Sequence, residues 1–156
     1  LFAMKIVLFQ PQIPQNTGNI VRTCAATNSS LLLVRPLGFS TQDRWLKRAG
    51  LDYWTDVQIE EIDDLALYLE QTKSPFFFFS SKTKVSYTEA AYTPDSLLIF
   101  GSETSGLDPI FWQRWPDCFY TIPMTPGQRC LNLANSAAIV LYESLRQTQF
   151  TTLARN

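Results

Sequence analysis

Two polar loops at the ends of apolar segments hold the residues best suited to bind and activate a ligand. Residues 101–106 follow the apolar run 97–100 and contain one carboxylate, Glu103. Residues 129–136 lead without a break into an apolar helix and contain the amide of Asn132. Small residues let a ligand approach the main chain closely. We therefore expect a pocket built mainly from backbone groups, with an ordinary strand-to-helix loop as the alternative for residues 101–106.

A third polar segment, residues 16–19, follows another apolar run and opens a helix. Helical periodicity places Ile20 and Val21 on the apolar stripe and turns Arg22 away from it. Amide groups at a helix start and an outward guanidinium together suit a phosphate. A capped helix with a solvent-facing arginine is the alternative interpretation.

Several kinds of chemistry are excluded by residue type. The chain contains no histidine, which removes histidine bases, Ser-His-Asp triads and histidine-ligated metals. Its three cysteines show no CxxC spacing, so neither a disulfide framework nor a zinc site is expected. Residues 101–106 lack both the GxGxxG pattern and the lysine of a P-loop. We expect no metal.

Charge is unevenly distributed along the chain, although the net charge is only −1. Arg44, Lys47 and Arg48 lie about one helical turn apart and form a basic ridge suited to a polyanion backbone. Lys82 and Lys84 could add to this ridge. Residues 52–70 are acidic. A solvated face is the alternative for each of these clusters.

Short, continuously apolar runs alternate with helical patterns, which is typical of a parallel sheet covered on both faces. The predicted strands are 4–9, 31–34, 76–79, 97–100 and 119–122. The predicted helices are 16–27, 41–49, 63–71, 109–115 and 132–146. This pattern predicts a single α/β domain over residues 1–156, with a mainly parallel sheet flanked by helices.

The ends of the chain and its hydropathy lead to further expectations. Residues 1–3 precede a methionine that opens a strand, so a cloning remnant is one interpretation of them, and residues 149–156 are expected to form a flexible tail. No apolar run approaches the ~20 residues of a membrane helix. Since no signal peptide is recognisable either, a cytoplasmic location is expected.

Taken together, these segments resemble the SPOUT class of RNA methyltransferases. They are most similar to the small tRNA 2′-O-methyltransferases of the TrmL/YibK group, which modify the wobble ribose. The resemblance covers residues 4–148 and rests on P-x-N-T-G-N-I-x-R at 14–22, K-R-A-G-L-D-Y at 47–53, F-G-x-E-T-x-G-L at 100–107, I-P-M at 122–124, R-x-L-N-L at 129–133 and Y-E at 142–143. The combination is specific, whereas no single motif is.

The resemblance implies a deep trefoil knot near the C-terminus and a homodimer. It implies S-adenosyl-L-methionine as methyl donor, S-adenosyl-L-homocysteine as product, and the wobble cytidine or uridine of tRNA as target. Action on another RNA, such as ribosomal RNA, is one alternative, and a non-catalytic RNA-binding factor with the same fold is a second. A small-molecule-binding α/β module is a more distant third.

Site residues follow from the same resemblance. Arg22 acts on the ribose hydroxyl, in its own subunit or the partner's, while Asn16, Glu103 and Asn132 organise the pocket. The cofactor contacts fall at Phe79, Gly101, Ile122, Cys130, Leu131 and Leu133. RNA contacts are expected on the basic ridge of Arg44, Lys47 and Arg48. The chain departs from the group at Ser102, where proline is common, and at Cys130 and Ala134, where serine is common.

Overall fold

Six strands form one sheet in the computed structural model, which describes residues 3–46, 48, 52–128, 130–151 and 153. All the paired strands run parallel. The strand order is β3-β2-β1-β5-β4-β6, so the direction of winding reverses between β1 and β5. Ligands of such sheets bind at this switch point, beyond the carboxyl ends of the strands. The strands are β1 (Lys5–Phe9), β2 (Ser30–Val34), β3 (Ile59–Ile62), β4 (Phe76–Phe79), β5 (Leu97–Phe100) and β6 (Phe119–Tyr120).

Helices cover both faces of the sheet. They are α1 (Pro14–Thr27), α2 (Arg44–Leu46), α3 (Asp52–Trp54), α4 (Leu65–Gln71), α5 (Pro109–Arg114) and α6 (Leu133–Gln147), with 3₁₀ turns at Tyr87–Glu89 and Pro116–Cys118. Helix α1 begins at Pro14, whose fixed φ and missing N–H suit the first helical position. It ends at Asn28, which adopts the left-handed conformation with φ 54°.

Alternate residues of each strand enter two separate cores. On one face, Ile6 and Leu8 of β1 pack with the buried sides of α1 and α6. On the other face, Val7 packs with α4 and α5 through Leu65 and Phe111. Both faces of the sheet are therefore covered, which explains the continuous apolar runs and confirms the predicted mainly parallel α/β fold.

The structure differs from the prediction in the short helix α3, which was not predicted, in strand β3 and in the extent of one helix. Strand β3 was not predicted, because its central residues Glu60 and Glu61 are exposed at the sheet edge and interrupt the apolar pattern. The predicted helix 41–49 is wrong in extent, since the helix in its described part covers Arg44–Leu46. The other predicted helices agree with the structure within two residues.

The basic and acidic segments of the sequence partly neutralise each other across β2 and β3. Arg35 lies 2.8 Å from a carboxylate oxygen of Asp63 and 3.6 Å from one of Glu61. The hydrogen bond from Arg35 lowers the pKa of the exposed Asp63 carboxyl. Lys5 lies 3.6 Å from Glu60. These ion pairs neutralise part of the acidic segment. They lie near the β3 edge of the sheet, away from the carboxyl ends of β4 and β5.

The described residues lack two kinds of feature. They contain no helix long and apolar enough to cross a membrane. They also contain no cluster of three or more His, Cys, Asp or Glu side chains able to hold a metal ion.

Candidate functional site

A cavity of about 560 Å³ lies at the carboxyl ends of the central strands. Its walls come from the segment after β1 and from the segments that follow β4, β5 and β6, the last of which leads into α6. All six residues predicted to contact the cofactor line this cavity: Phe79, Gly101, Ile122, Cys130, Leu131 and Leu133. Asn16, Glu103 and Asn132 line it as well. The structure therefore brings together residues that are up to 117 positions apart in the chain.

The carboxylate of Glu103 joins the loop after β5 to the loop after β1. Its Oε1 accepts a hydrogen bond of 2.8 Å from the main-chain N–H of Gln12. Its Oε2 accepts bonds of 3.0 Å from the N–H of Ile13 and 3.1 Å from Nδ2 of Asn16. Because both oxygens are engaged with the protein, this carboxylate is arranged to hold two loops rather than to take up a substrate proton.

Asn16 and Asn132 extend this connection to α6. Nδ2 of Asn132 donates to Oδ1 of Asn16 over 3.0 Å. Oδ1 of Asn132 caps α6 by accepting from the N–H groups of Ala134 at 2.9 Å and Asn135 at 3.2 Å. We call the set Asn132, Asn16 and Glu103 the amide relay. It fixes three of the loops that surround the cavity relative to one another.

Residues 101–106 form a tight hairpin in which two backbone groups pair reciprocally. Ser102 and Gly106 exchange two N–H to carbonyl bonds of 3.0 Å. A Cβ at Gly101 would lie 2.5 Å from the carbonyl carbon of Gly106, and Gly106 has φ +67°, so both glycines are required. Ser102 donates one of these bonds through its main-chain N–H, which a proline at position 102 would lack. The serine found here, where proline is common in the group, therefore allows the hairpin to form both bonds.

Aromatic rings form the apolar part of the cavity wall. Phe79 stacks on Phe100 with ring centroids 5.1 Å apart and an interplanar angle of 22°, and both residues line the cavity. Both rings are largely buried, so the part of the wall they contribute is rigid and apolar, as is usual in sites for small molecules. Ser80, Ser81 and Thr121 also line the cavity, although none of them was predicted to be a site residue, because serine and threonine carry no distinctive pattern.

The thiol predicted to lie in the pocket is exposed, at Cys130. Cys24 is instead enclosed in the core, where burial raises its pKa to about 12. Cys24 is therefore a packing residue that stays protonated at neutral pH.

Arg22 lies outside the cavity of its own chain. It is exposed and lies six residues beyond Asn16 along α1, a rise of about 9 Å. Its guanidinium carbon lies 5.4 Å from the ring centroid of Tyr53. The structure thus separates Arg22 from the three other residues predicted to serve catalysis.

The predicted basic ridge is only partly described. Arg44 and Arg48 are exposed and lie outside the cavity lining. Lys47 is not among the described residues. Arg44 and Arg48 are therefore separate from the cavity wall.

Comparison with known proteins is consistent with this geometry. Residues 3–142 match the SpoU rRNA Methylase family. A protein of Geobacillus stearothermophilus, provisionally named a tRNA (cytidine(34)-2′-O)-methyltransferase, is 49% identical over 156 residues, covering 97% of this chain and 99% of the relative. A solved structure described as giving insight into the 2-OH methylation of C/U34 on tRNA matches with TM-score 0.87 and 41% identity, over 95% of this chain and 97% of that one.

A more distant structure shows the same fold. It is the SpoU methyltransferase AviRb of Streptomyces viridochromogenes in complex with the cofactor AdoMet, with TM-score 0.80 and 22% identity over 94% of this chain and 58% of that one. The family match spans most of the chain and the Geobacillus relative is similar over nearly its full length. This chain belongs to the SpoU methylase family.

Proposed function

We propose that this chain is a tRNA methyltransferase that transfers a methyl group to the ribose 2′-hydroxyl of nucleotide 34, the wobble cytidine or uridine. The observation that best supports this proposal is the cavity bounded by the amide relay of Asn132, Asn16 and Glu103. The Geobacillus relative, provisionally named for this reaction, and the solved structure described for C/U34 methylation support the target.

The residues of the cavity fit S-adenosyl-L-methionine, which supplies the methyl group when bound. Phe79 and Phe100 contribute an apolar part of the wall, against which the adenine ring would pack. The hairpin that begins at Gly101 and the segment around Cys130 and Leu131 offer main-chain donors and acceptors. The AdoMet complex of the distant family member supports this cofactor.

Arg22 is proposed to orient the ribose hydroxyl and a neighbouring phosphate. A guanidinium stays protonated in proteins and is a poor base, whereas its planar set of donors binds phosphate oxygens well. Since Arg22 lies outside the cavity of its own chain, we place it at the cavity of a partner subunit. The sulfonium already activates the methyl group, so positioning of the reactants is the main task of the protein.

The homodimer that this requires is supported by an exposed apolar surface. Ile13 and Leu131 are each 40% exposed, and Ile139 and Tyr142 of α6 are 37% and 46% exposed. Ile13 and Leu131 also line the cavity, so a second copy packed on these residues would lie beside the site at which we propose its Arg22 to act. Light scattering coupled to gel filtration distinguishes a dimer of about twice the 17.8 kDa chain mass from a monomer.

A trefoil knot in residues 80–147 is part of the same proposal. Strand β6 lies at the sheet edge, yet the following helix α6 packs back against α1 and β5 near the centre. Residues 85–87, which belong to the connection from β4 to β5, pair with Thr121 between β6 and α6. An experimental electron-density trace through these residues tests whether the chain passes through that connection.

Two further parts of the proposal concern RNA binding and location. We propose that the RNA is bound by Arg44, Lys47 and Arg48, and that the protein acts on tRNA in the cytoplasm.

The decisive experiment incubates the protein with labelled S-adenosylmethionine and either bulk tRNA or ribosomal RNA. Methyl incorporation into tRNA supports the proposed function. Incorporation into ribosomal RNA alone would support the first alternative, and RNA binding without incorporation would support a non-catalytic factor.

A further inference from the structure

A loop bearing two lysines lies at the mouth of the cavity. Residues 80–86, here called the lysine loop, follow the carboxyl end of β4 and contain Lys82 and Lys84. Ser80 and Ser81, which begin the loop, line the cavity. Lys82 is therefore adjacent in the chain to a residue of the cavity wall.

Both ends of the lysine loop are attached to the cavity wall. The N–H of Ser80 donates to the carbonyl of Tyr120 over 3.0 Å. At the far end, the cavity-lining residue Thr121 donates its N–H to the carbonyl of Val85 and accepts from the N–H of Tyr87, each over 2.8 Å. A loop of this length fixed at both ends cannot move its lysines far from the cavity.

Hydrogen bonds within the loop add to this attachment. The hydroxyl of Ser80 accepts from the N–H of Lys82 at 3.2 Å. The hydroxyl of Thr83 accepts from the N–H of Val85 at 3.3 Å. The carboxylate of Glu89 accepts from the N–H of Ser86 at 2.8 Å in a capping box. The backbone that carries the two lysines is therefore ordered by its own sequence.

The two ammonium groups differ from other cations of the protein. Lys5, Arg35, Arg114 and Arg146 each form an ion pair with a carboxylate. Within the described part of the chain, exposed Lys82 and Lys84 have no such partner. The nearby carboxylates of Glu89 and Glu103 accept main-chain N–H groups. The mouth of the cavity therefore carries positive charge that the described residues do not neutralise.

We propose that the lysine loop binds the phosphate backbone of the RNA substrate, with Lys82 and Lys84 contacting phosphates next to the nucleotide that enters the cavity. This inference rests on the proposed function, because it assumes that the acceptor is RNA. A phosphodiester backbone is the ligand that fits two lysines spaced along a fixed loop, since adjacent phosphates present a regular row of negative charge. The lysines act by positioning the strand and not on the reacting atoms.

The test compares methyl transfer to tRNA by the wild type and by the double variant Lys82→Gln with Lys84→Gln. We expect the KM for tRNA to rise about tenfold, while kcat and the affinity for S-adenosylhomocysteine stay near wild type. The slope of log KM against log salt concentration should fall by about one for each lysine removed. The double variant Lys82→Arg with Lys84→Arg keeps the charge and should restore the wild-type slope.

A matched control is available on the same strand. Lys73 is exposed and precedes β4 at its opposite end, so Lys73→Gln removes one positive charge far from the cavity, as each of the single variants Lys82→Gln and Lys84→Gln does close to it. Its KM and salt slope should equal those of the wild type. Equal effects of Lys73→Gln and the double variant, or an unchanged slope in the double variant, would overturn the proposal. A wild type that methylates no RNA would instead overturn the proposed function.

Discussion

The side chain of Asn132 donates a hydrogen bond to Oδ1 of Asn16 over 3.0 Å, across 116 positions of the sequence. The same side chain caps α6, and Asn16 in turn donates to Glu103. Asn132 therefore has two separable functions, of which one stabilises a helix and the other joins two walls of the cavity.

Substitution of Asn132 can separate these functions. Asn132→Ala removes the cap and the bond to Asn16, and loss of a cap costs about 1 kcal/mol, so Tm should fall by roughly 2–4 °C. Asn132→Asp keeps an acceptor at the helix N-terminus, where negative charge is favourable, but cannot donate to Asn16. We expect its Tm to fall less than that of Asn132→Ala, because only Oδ1 of the buried Asn16 loses its donor, while the affinity for S-adenosylhomocysteine falls. Equal affinities in wild type and Asn132→Asp would show that the relay does not shape the cavity.

Glu103 provides a second test of the relay. Glu103→Gln leaves one acceptor oxygen for three N–H donors, so at least one donor loses its partner at a cost of about 1–2 kcal/mol. Urea denaturation should show this loss, and calorimetry should show weaker cofactor binding. Asp64→Asn is the matched control, because Asp64 also accepts a main-chain N–H, at 3.0 Å from Leu67, but at the start of α4 and outside the cavity lining. If the Glu103→Gln protein is stable and binds the cofactor normally but has no activity, the Glu103 carboxylate acts directly on the substrate and the relay role is wrong.

How much of this arrangement the sequence can predict depends on the kind of contact. The continuous apolar runs predicted five of the six strands, because parallel strands are buried on both faces, whereas edge strand β3 with Glu60 and Glu61 gave no such signal. Motif resemblance predicted six cavity-lining positions and the family. The hydrogen bond between Asn132 and Asn16 could not be predicted. It depends on how α1 packs against α6, and no local sequence pattern encodes that packing.

Arg22 and Tyr53 form a further pair that sequence spacing does not reveal. The Tyr53 ring lies 5.4 Å from the guanidinium carbon of Arg22, and an exposed cation–π contact contributes about 0.5–1 kcal/mol. If the ring holds Arg22 in position, Tyr53→Leu should lower kcat about two- to fivefold. Tyr53→Phe, which keeps the ring face, should have nearly wild-type kcat. Equal kcat values for the two variants would exclude this positioning role.

The site of action of Arg22 can be tested with mixed dimers. Arg22→Ala removes the guanidinium, and Gly101→Ala places a Cβ 2.5 Å from Gly106 and distorts the cavity. Each homodimer should be inactive. A purified heterodimer of the two chains combines one intact cavity with the partner's intact Arg22, so it should regain about half of the wild-type activity. A heterodimer as inactive as its parents would place Arg22 at the cavity of its own chain.

Alkaline hydrolysis of tRNA after reaction tests the proposed function most directly. Methylation of a 2′-hydroxyl removes the internal nucleophile that cleaves the adjacent phosphodiester, so one band of the hydrolysis ladder disappears. We predict a gap after nucleotide 34 with the wild type and a complete ladder with Arg22→Ala. A complete ladder despite methyl incorporation would indicate base methylation, and a gap at another nucleotide would indicate another target. Either result would contradict the assignment of this chain as a wobble-ribose methyltransferase.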